Sequence, residues 1–169
     1  MSNSASIDRK EFLEVVEKNQ GIIHRICNHY STDEDQRKDL FQEIMFQLWR
    51  SYSSFKGQST VGTWLYRVAF NTACTQMRNE RVKRDSYAYI KWTSETDTSI
   101  DQESRESVAK LYKAIDLRNP AERAIILMHL DELPNDEIAQ VIGSTSANVA
   151  VKLTRIRQKL GKILNNPKV

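Results

Sequence analysis

The sequence predicts an all-α fold of two small helical domains joined by a flexible linker, and three observations lead there. Glycine and proline are scarce, five and three in 169 residues, and β-branched runs are few, whereas a sheet-rich chain needs both for its tight turns. Apolar residues recur at three- and four-residue steps through most of the chain. That period dissolves once, between Asp85 and Ser107, where polar and acidic residues take over. The length accommodates two small domains, and 40% hydrophobic content supplies their cores.

From the N-terminus, Phe12, Val15, Val16, Ile22, Ile23, Ile26, Cys27 and Tyr30 fall on one face of a helix, or of a helix pair bent near Gly21. A second helix follows the acidic turn Thr32 to Asp35, with Leu40, Phe41, Ile44, Met45, Leu48 and Trp49 as its inward stripe. Phe55 to Thr60, with Gly57 and small polar residues, reads as a loop. A third helix is expected over about Val61 to Arg81, facing inward with Leu65, Val68, Ala69, Thr72 and Met77. Three such helices close a bundle, giving a first domain over 1–85 and a linker over 86–107. Tyr87, Tyr89, Ile90 and Trp92 are apolar for a linker and fit either a dock on a neighbour or a cap on the bundle.

The second domain, 108–169, contains a helix start at Asn119-Pro120-Ala121-Glu122: an N-cap, proline in the first turn, and glutamate at the third position. A short helix from Asn135 to Ile142 is expected to stop at Gly143, the residue type that tolerates a left-handed terminus, and Thr145 to cap the last helix. There Val149, Leu153, Ile156, Leu160, Ile163 and Leu164 form an inward stripe. Helix, short glycine-containing turn and basic helix make the helix-turn-helix pattern. Ordinary helical hairpins share that periodicity. The charge pattern separates the two readings, because the chain carries six basic and no acidic residues from Ala147 onward, the signature of a phosphate-facing element. The N-terminal turns of such a helix meet base edges and flanking phosphates, which makes Ser146, Asn148, Val151, Lys152, Thr154 and Arg155 the candidates for duplex contact.

A second constellation lies in the first domain. Phe55, Lys56, Ser59, Arg67, Asn71 and Arg78, with Trp64, Phe70, Arg81, Lys83 and Arg84 nearby, interleave aromatic and cationic side chains beside a loop. Single-stranded nucleic acid needs both, π faces for unstacked bases and positive charge for the backbone. Trp64 fits the core edge as well as a base contact, whereas Lys56 and Asn71 have no evident core role.

Asp39-Leu40-Phe41-Gln42-Glu43 through Trp49, then Phe55-Lys56-Gly57, then Thr63 through Ala73, resemble region two of extracytoplasmic-function sigma factors of the sigma-70 family. Glu137-Ile138-Ala139, Ile142-Gly143, Asn148-Val149 and Arg155-Ile156-Arg157 resemble region four of the same family. The resemblance implies a promoter-reading subunit of RNA polymerase. Asp39, Gln42, Glu43, Phe46 and Trp49 would bind the β′ clamp of the core enzyme, and the Phe55 to Thr60 loop with Asn71 would capture a flipped base of the minus-ten element. The C-terminal unit would read the minus-thirty-five element as duplex while its apolar surface engages the β flap; an anti-sigma factor is a further partner the family implies. Ala150, Val151 and Pro134 depart from residue types common in the family, which implies fewer phosphate contacts and a different promoter sequence.

No catalytic set, cofactor or metal is expected. His24, Cys27 and His29 have a suggestive spacing, but His24 and His29 point apart on a helix. There is no GxxxxGK[ST] phosphate loop. No apolar run approaches the roughly 20 residues of a membrane span, and the start lacks a signal peptide's apolar stretch, so the expected location is cytoplasmic, with Cys27 and Cys74 reduced. A helix-turn-helix regulator with a helical sensor or dimerisation domain is the alternative on residues alone, and a metalloenzyme using the two histidines a more distant one.

Overall fold

The computed structural model describes residues 3–31, 33–83 and 102–165, with side chains over 9–31, 33–79 and 103–165; Tyr87, Tyr89, Ile90 and Trp92, and the side chains of Arg81, Lys83 and Arg84, lie outside them. The elements are α1 (Asn3–Tyr30), α2 (Glu34–Tyr52), α3 (Val61–Lys83), α4 (Gln102–Asp116), α5 (Pro120–Leu130), α6 (Asn135–Ile142) and α7 (Ser146–Asn165), in two units divided after Tyr89.

In the first unit, α1 runs unbroken through the exposed Gly21, so of the two readings, one helix or a pair bent there, the single helix is found. Asp33 caps α2, its carboxylate accepting the Gln36 amide at 2.8 Å, and Glu34 and Asp35 complement the positive end of the helix dipole. Leu40, Ile44 and Leu48 are buried, Phe41 and Met45 half-buried, and Trp49 is exposed, which corrects the inward stripe expected for α2. On α3 the buried face is rotated from the expected one. Trp64, Tyr66 and Phe70 turn inward with Leu65, Ala69 and Ala73, while Val68, Thr72 and Met77 are half-exposed. Burying large rings removes more apolar area from water than burying valine or threonine, so the aromatics set the helix's rotation. Ile23, Ile26 and Cys27 of α1 complete the core.

In the second unit α4 starts at Gln102, so residues 102–107, read from sequence as linker, are helical. Ala114, Ile115, the run Ala124 to Met128, Ile138, Val149, Leu153, Ile156 and Leu160 form the core; Ile142 and Ile163 are half-buried and Leu164 exposed. Asn119 caps α5 by accepting the Glu122 amide at 2.9 Å. Arg123 is buried, and its guanidinium donates to the Asp116 and Arg118 carbonyls at 2.7 and 3.2 Å, tying α5 to the end of α4. Charge-assisted hydrogen bonds of this kind are what make a buried cation tolerable.

Candidate nucleic-acid interface

The loop between α2 and α3 is held from below. Phe55 lies flat on Trp64, ring centroids 4.9 Å apart, and Tyr52 flanks the same indole. Trp64 is only 6% exposed, which makes it the pedestal and leaves the half-exposed Phe55 as the aromatic face toward solvent. Gly57 adopts φ 70°, a left-handed turn that glycine enters at no steric cost. Thr60 then caps α3, its hydroxyl accepting the Thr63 amide at 3.2 Å. Lys56 is exposed and Ser59 half-exposed on this loop.

Arg67, Asn71 and Arg78 follow at steps of four and seven residues, which puts them on one stripe of α3 opposite its buried face. The ring contact of Phe55 with Trp64 and the Thr60 cap tie the loop to the start of α3, the helix that carries this stripe. Asn71 also lines a groove of about 660 Å³ between α2 and α3, across from Asp39 and Glu43. Thus one residue of the expected DNA-facing set, Asn71, shares this groove with two of the expected polymerase-facing set.

Asp39, Gln42, Glu43, Phe46 and Trp49 occupy the exposed side of α2, opposite Leu40, Ile44 and Leu48. Phe46 is 56% and Trp49 44% exposed. Trp49 is fixed by an edge-on contact with Phe12 at 5.0 Å, and Gln47 donates to the Glu43 carboxylate at 2.8 Å. Leu13, which lies off the expected inward face of α1 and outside the expected contact set, is exposed as well. Aromatic rings left on a well-packed helix mark an interaction surface.

In the second unit α6 ends at Gly143, φ 66°, and Thr145 caps α7 by accepting the Asn148 amide at 3.2 Å. Pro134, at the N-cap of α6, makes no side-chain cap bond; Asp136 and Glu137 in the first turn offset that through the helix dipole. Ser146, Asn148, Val151, Lys152, Thr154 and Arg155 are all exposed. Two of the basic residues expected to point outward are engaged elsewhere: Lys159 pairs with Glu122 at 2.5 Å and Arg157 donates to the His129 ring, both partners on α5. Glu122 thus braces α7 from the first turn of α5. Lys152 and Arg155 carry the charge of the two leading turns.

The histidine spacing dissolves in space. His24 is exposed and stacks on Phe41 at 5.1 Å, His29 is buried, and burial pushes the Cys27 thiol up from 9.0 to about 12, against a smaller downward pull from Arg37. Among the described residues no three His, Cys, Asp or Glu side chains converge as a metal set, and no helix is long and apolar enough to cross a membrane.

Residues 15–82 match the sequence model of Sigma-70 region 2, and residues 109–160 that of Sigma-70, region 4. The chain belongs to the sigma-70 family. Its relatives place it in the extracytoplasmic-function group. The ECF RNA polymerase sigma factor SigG of Mycobacterium tuberculosis (strain CDC 1551 / Oshkosh) is 28% identical over 149 residues, 73% of this chain and 40% of that protein, so the chain spans well under half of that relative's length. RNA polymerase sigma factor YlaC of Bacillus subtilis (strain 168) is 29% identical over 146 residues, 83% of this chain and 82% of that one. The solved structure of the sigma factor RpoE in complex with the anti-sigma factor NepR from Bartonella quintana shares the fold, with a TM-score of 0.73 at 19% identity over 93% of this chain and 96% of that one. Sigma factors are non-enzymatic initiation factors that bring RNA polymerase core to promoters.

Proposed function

We propose that this chain, acting in the cytoplasm, directs core RNA polymerase to a specific set of promoters and holds the opened strand there. Residues 1–85 grip the core enzyme and the minus-ten element, the stretch ahead of α4 tethers, and the unit from α4 onward reads the minus-thirty-five element as duplex. The observation that carries this reading is the bundle's pair of surface stripes: the exposed Asp39, Gln42, Glu43, Phe46 and Trp49 on α2, and on α3 the half-buried Arg67 with the exposed Asn71 and Arg78, near the Phe55 loop. The first stripe suits the β′ clamp; the second suits an unstacked strand. The C-terminal unit engages the β flap through its apolar surface. An anti-sigma factor able to cover these stripes would silence the protein.

Energetics favour a subunit over a self-sufficient opener. Separating duplex costs about 1.4 kcal/mol per base-pair step, so a bubble of roughly ten pairs requires more than about 10 kcal/mol. Captured bases return about 1–3 kcal/mol each. The remainder has to come from the polymerase. Comigration of the purified chain with core polymerase at low salt, together with promoter-specific transcripts from the mixture, tests the proposal. Failure to associate overturns it. Arg155→Ala should weaken minus-thirty-five duplex binding about tenfold while leaving core association intact.

A further inference from the structure

The exposed side of α7 carries one large apolar residue in its leading turns. Val151 is 50% exposed and directly opposite the buried stripe of Val149, Leu153 and Ile156. Helix propensity does not account for it there, because a β-branched side chain on a solvated helix face loses rotamer freedom and gains no burial. Its surroundings leave it prominent. Ala147 and Ala150, both exposed, put no long side chain beside it. Thr154, the next residue on that face, commits its hydroxyl to the Ala150 carbonyl at 3.1 Å, so its γ-methyl is the branch left for a ligand. Asn148, Lys152 and Arg155 flank this methyl-bearing centre with a hydrogen-bonding amide and two cations.

In a major groove the base-edge feature that an aliphatic group matches is the thymine C5-methyl, which cytosine, adenine and guanine lack. We infer that Val151, with the Thr154 methyl beside it, selects a thymine in the minus-thirty-five element by contact with its C5-methyl group. This rests on the proposed reading of α7 as the duplex-reading helix and adds what that helix selects. The cations anchor the backbone on either side, and specificity at this position comes from apolar contact. A methyl removed from such a contact costs about fourfold in affinity, the factor that corresponds to one buried CH2-sized group.

The test uses the holoenzyme formed from core polymerase and the full chain, and a promoter library randomised across the minus-thirty-five element. One copy of the library is made with thymine and one with uracil, which differs only by lacking that methyl. The expected result is a thymine enriched from the first library whose enrichment falls about fourfold in the second. Val151→Ser should abolish the difference and Val151→Ile should retain it; the position is exposed, so both variants fold. Equal enrichment from the two libraries, or an undiminished difference with Val151→Ser, overturns the inference while leaving the duplex-reading role standing. Absence of any enriched minus-thirty-five sequence overturns that role, and the inference with it.

Discussion

The two faces proposed for nucleic acid, one in each unit, are of different construction. In the first, the face is composite: a loop resting on the buried Trp64 through Phe55, continued by Arg67, Asn71 and Arg78 on α3. In the second, the face is one helix, capped by Thr145 and braced from α5 through Glu122 and His129. A duplex groove is a regular object that a rigid rod can match, whereas a strand out of its helix has no fixed form and is met by a π face and a charged track. The difference in build matches the difference between the two proposed targets.

The largest effect should come from separating the α2 stripe from the rest. Phe46→Ala with Trp49→Ala should weaken core association roughly 30-fold or more, the ~2 kcal/mol level of an interface hot spot, without altering minus-thirty-five duplex binding; titration of labelled core enzyme reads this. Next, Asn71→Ala should reduce promoter opening about tenfold and relax minus-ten preference while leaving core association unchanged, as permanganate reactivity and a binding titration of the same variant would show. Loss of core association in that variant would mean that the groove shared by Asn71, Asp39 and Glu43 is one site and that the composite face has been divided wrongly.

Smaller effects probe the rigidity of the second face. Gly143 at φ 66° and Glu132 at φ 62° both stand in left-handed backbone at helix ends. Around Glu132 the Leu133 amide donates to Met128 and the Glu132 amide to His129, the paired bonds of a Schellman turn. Gly143→Ala should therefore cost about 1 kcal/mol and Glu132→Gly should gain about as much, read from urea unfolding. Confined to alkaline pH is the effect of the thiol in the first unit's core. The unfolded chain ionises Cys27 first, so the stability it confers is whole below about pH 9 and drains as pH climbs toward about 12. Cys27→Ala should show a shallower alkaline loss of stability than the native chain.

What the sequence reveals and what it conceals divide along the same physical lines. Gly143, Asn119 and Thr145 are legible because a cap needs a particular residue type at a particular place. Glu132 is not, since nothing in glutamate advertises a positive φ. The buried stripe of α7 is plain from its period, but period alone assigns Trp49 inward, because whether an apolar side chain is covered depends on what packs beside it. The six loop and α3 residues could be grouped by composition; that Trp64 supports Phe55 required the distance between the rings. The bracing of Arg157 and Lys159 spans 28 and 37 residues, beyond any local pattern.

Permanganate probing of a promoter with the chain alone, with core polymerase alone and with both bears most directly on this picture. Reactive thymines should appear in the minus-ten region only when both are present, with the minus-thirty-five element protected as duplex. Reactive thymines produced by the chain alone, or none with the combination, would contradict it.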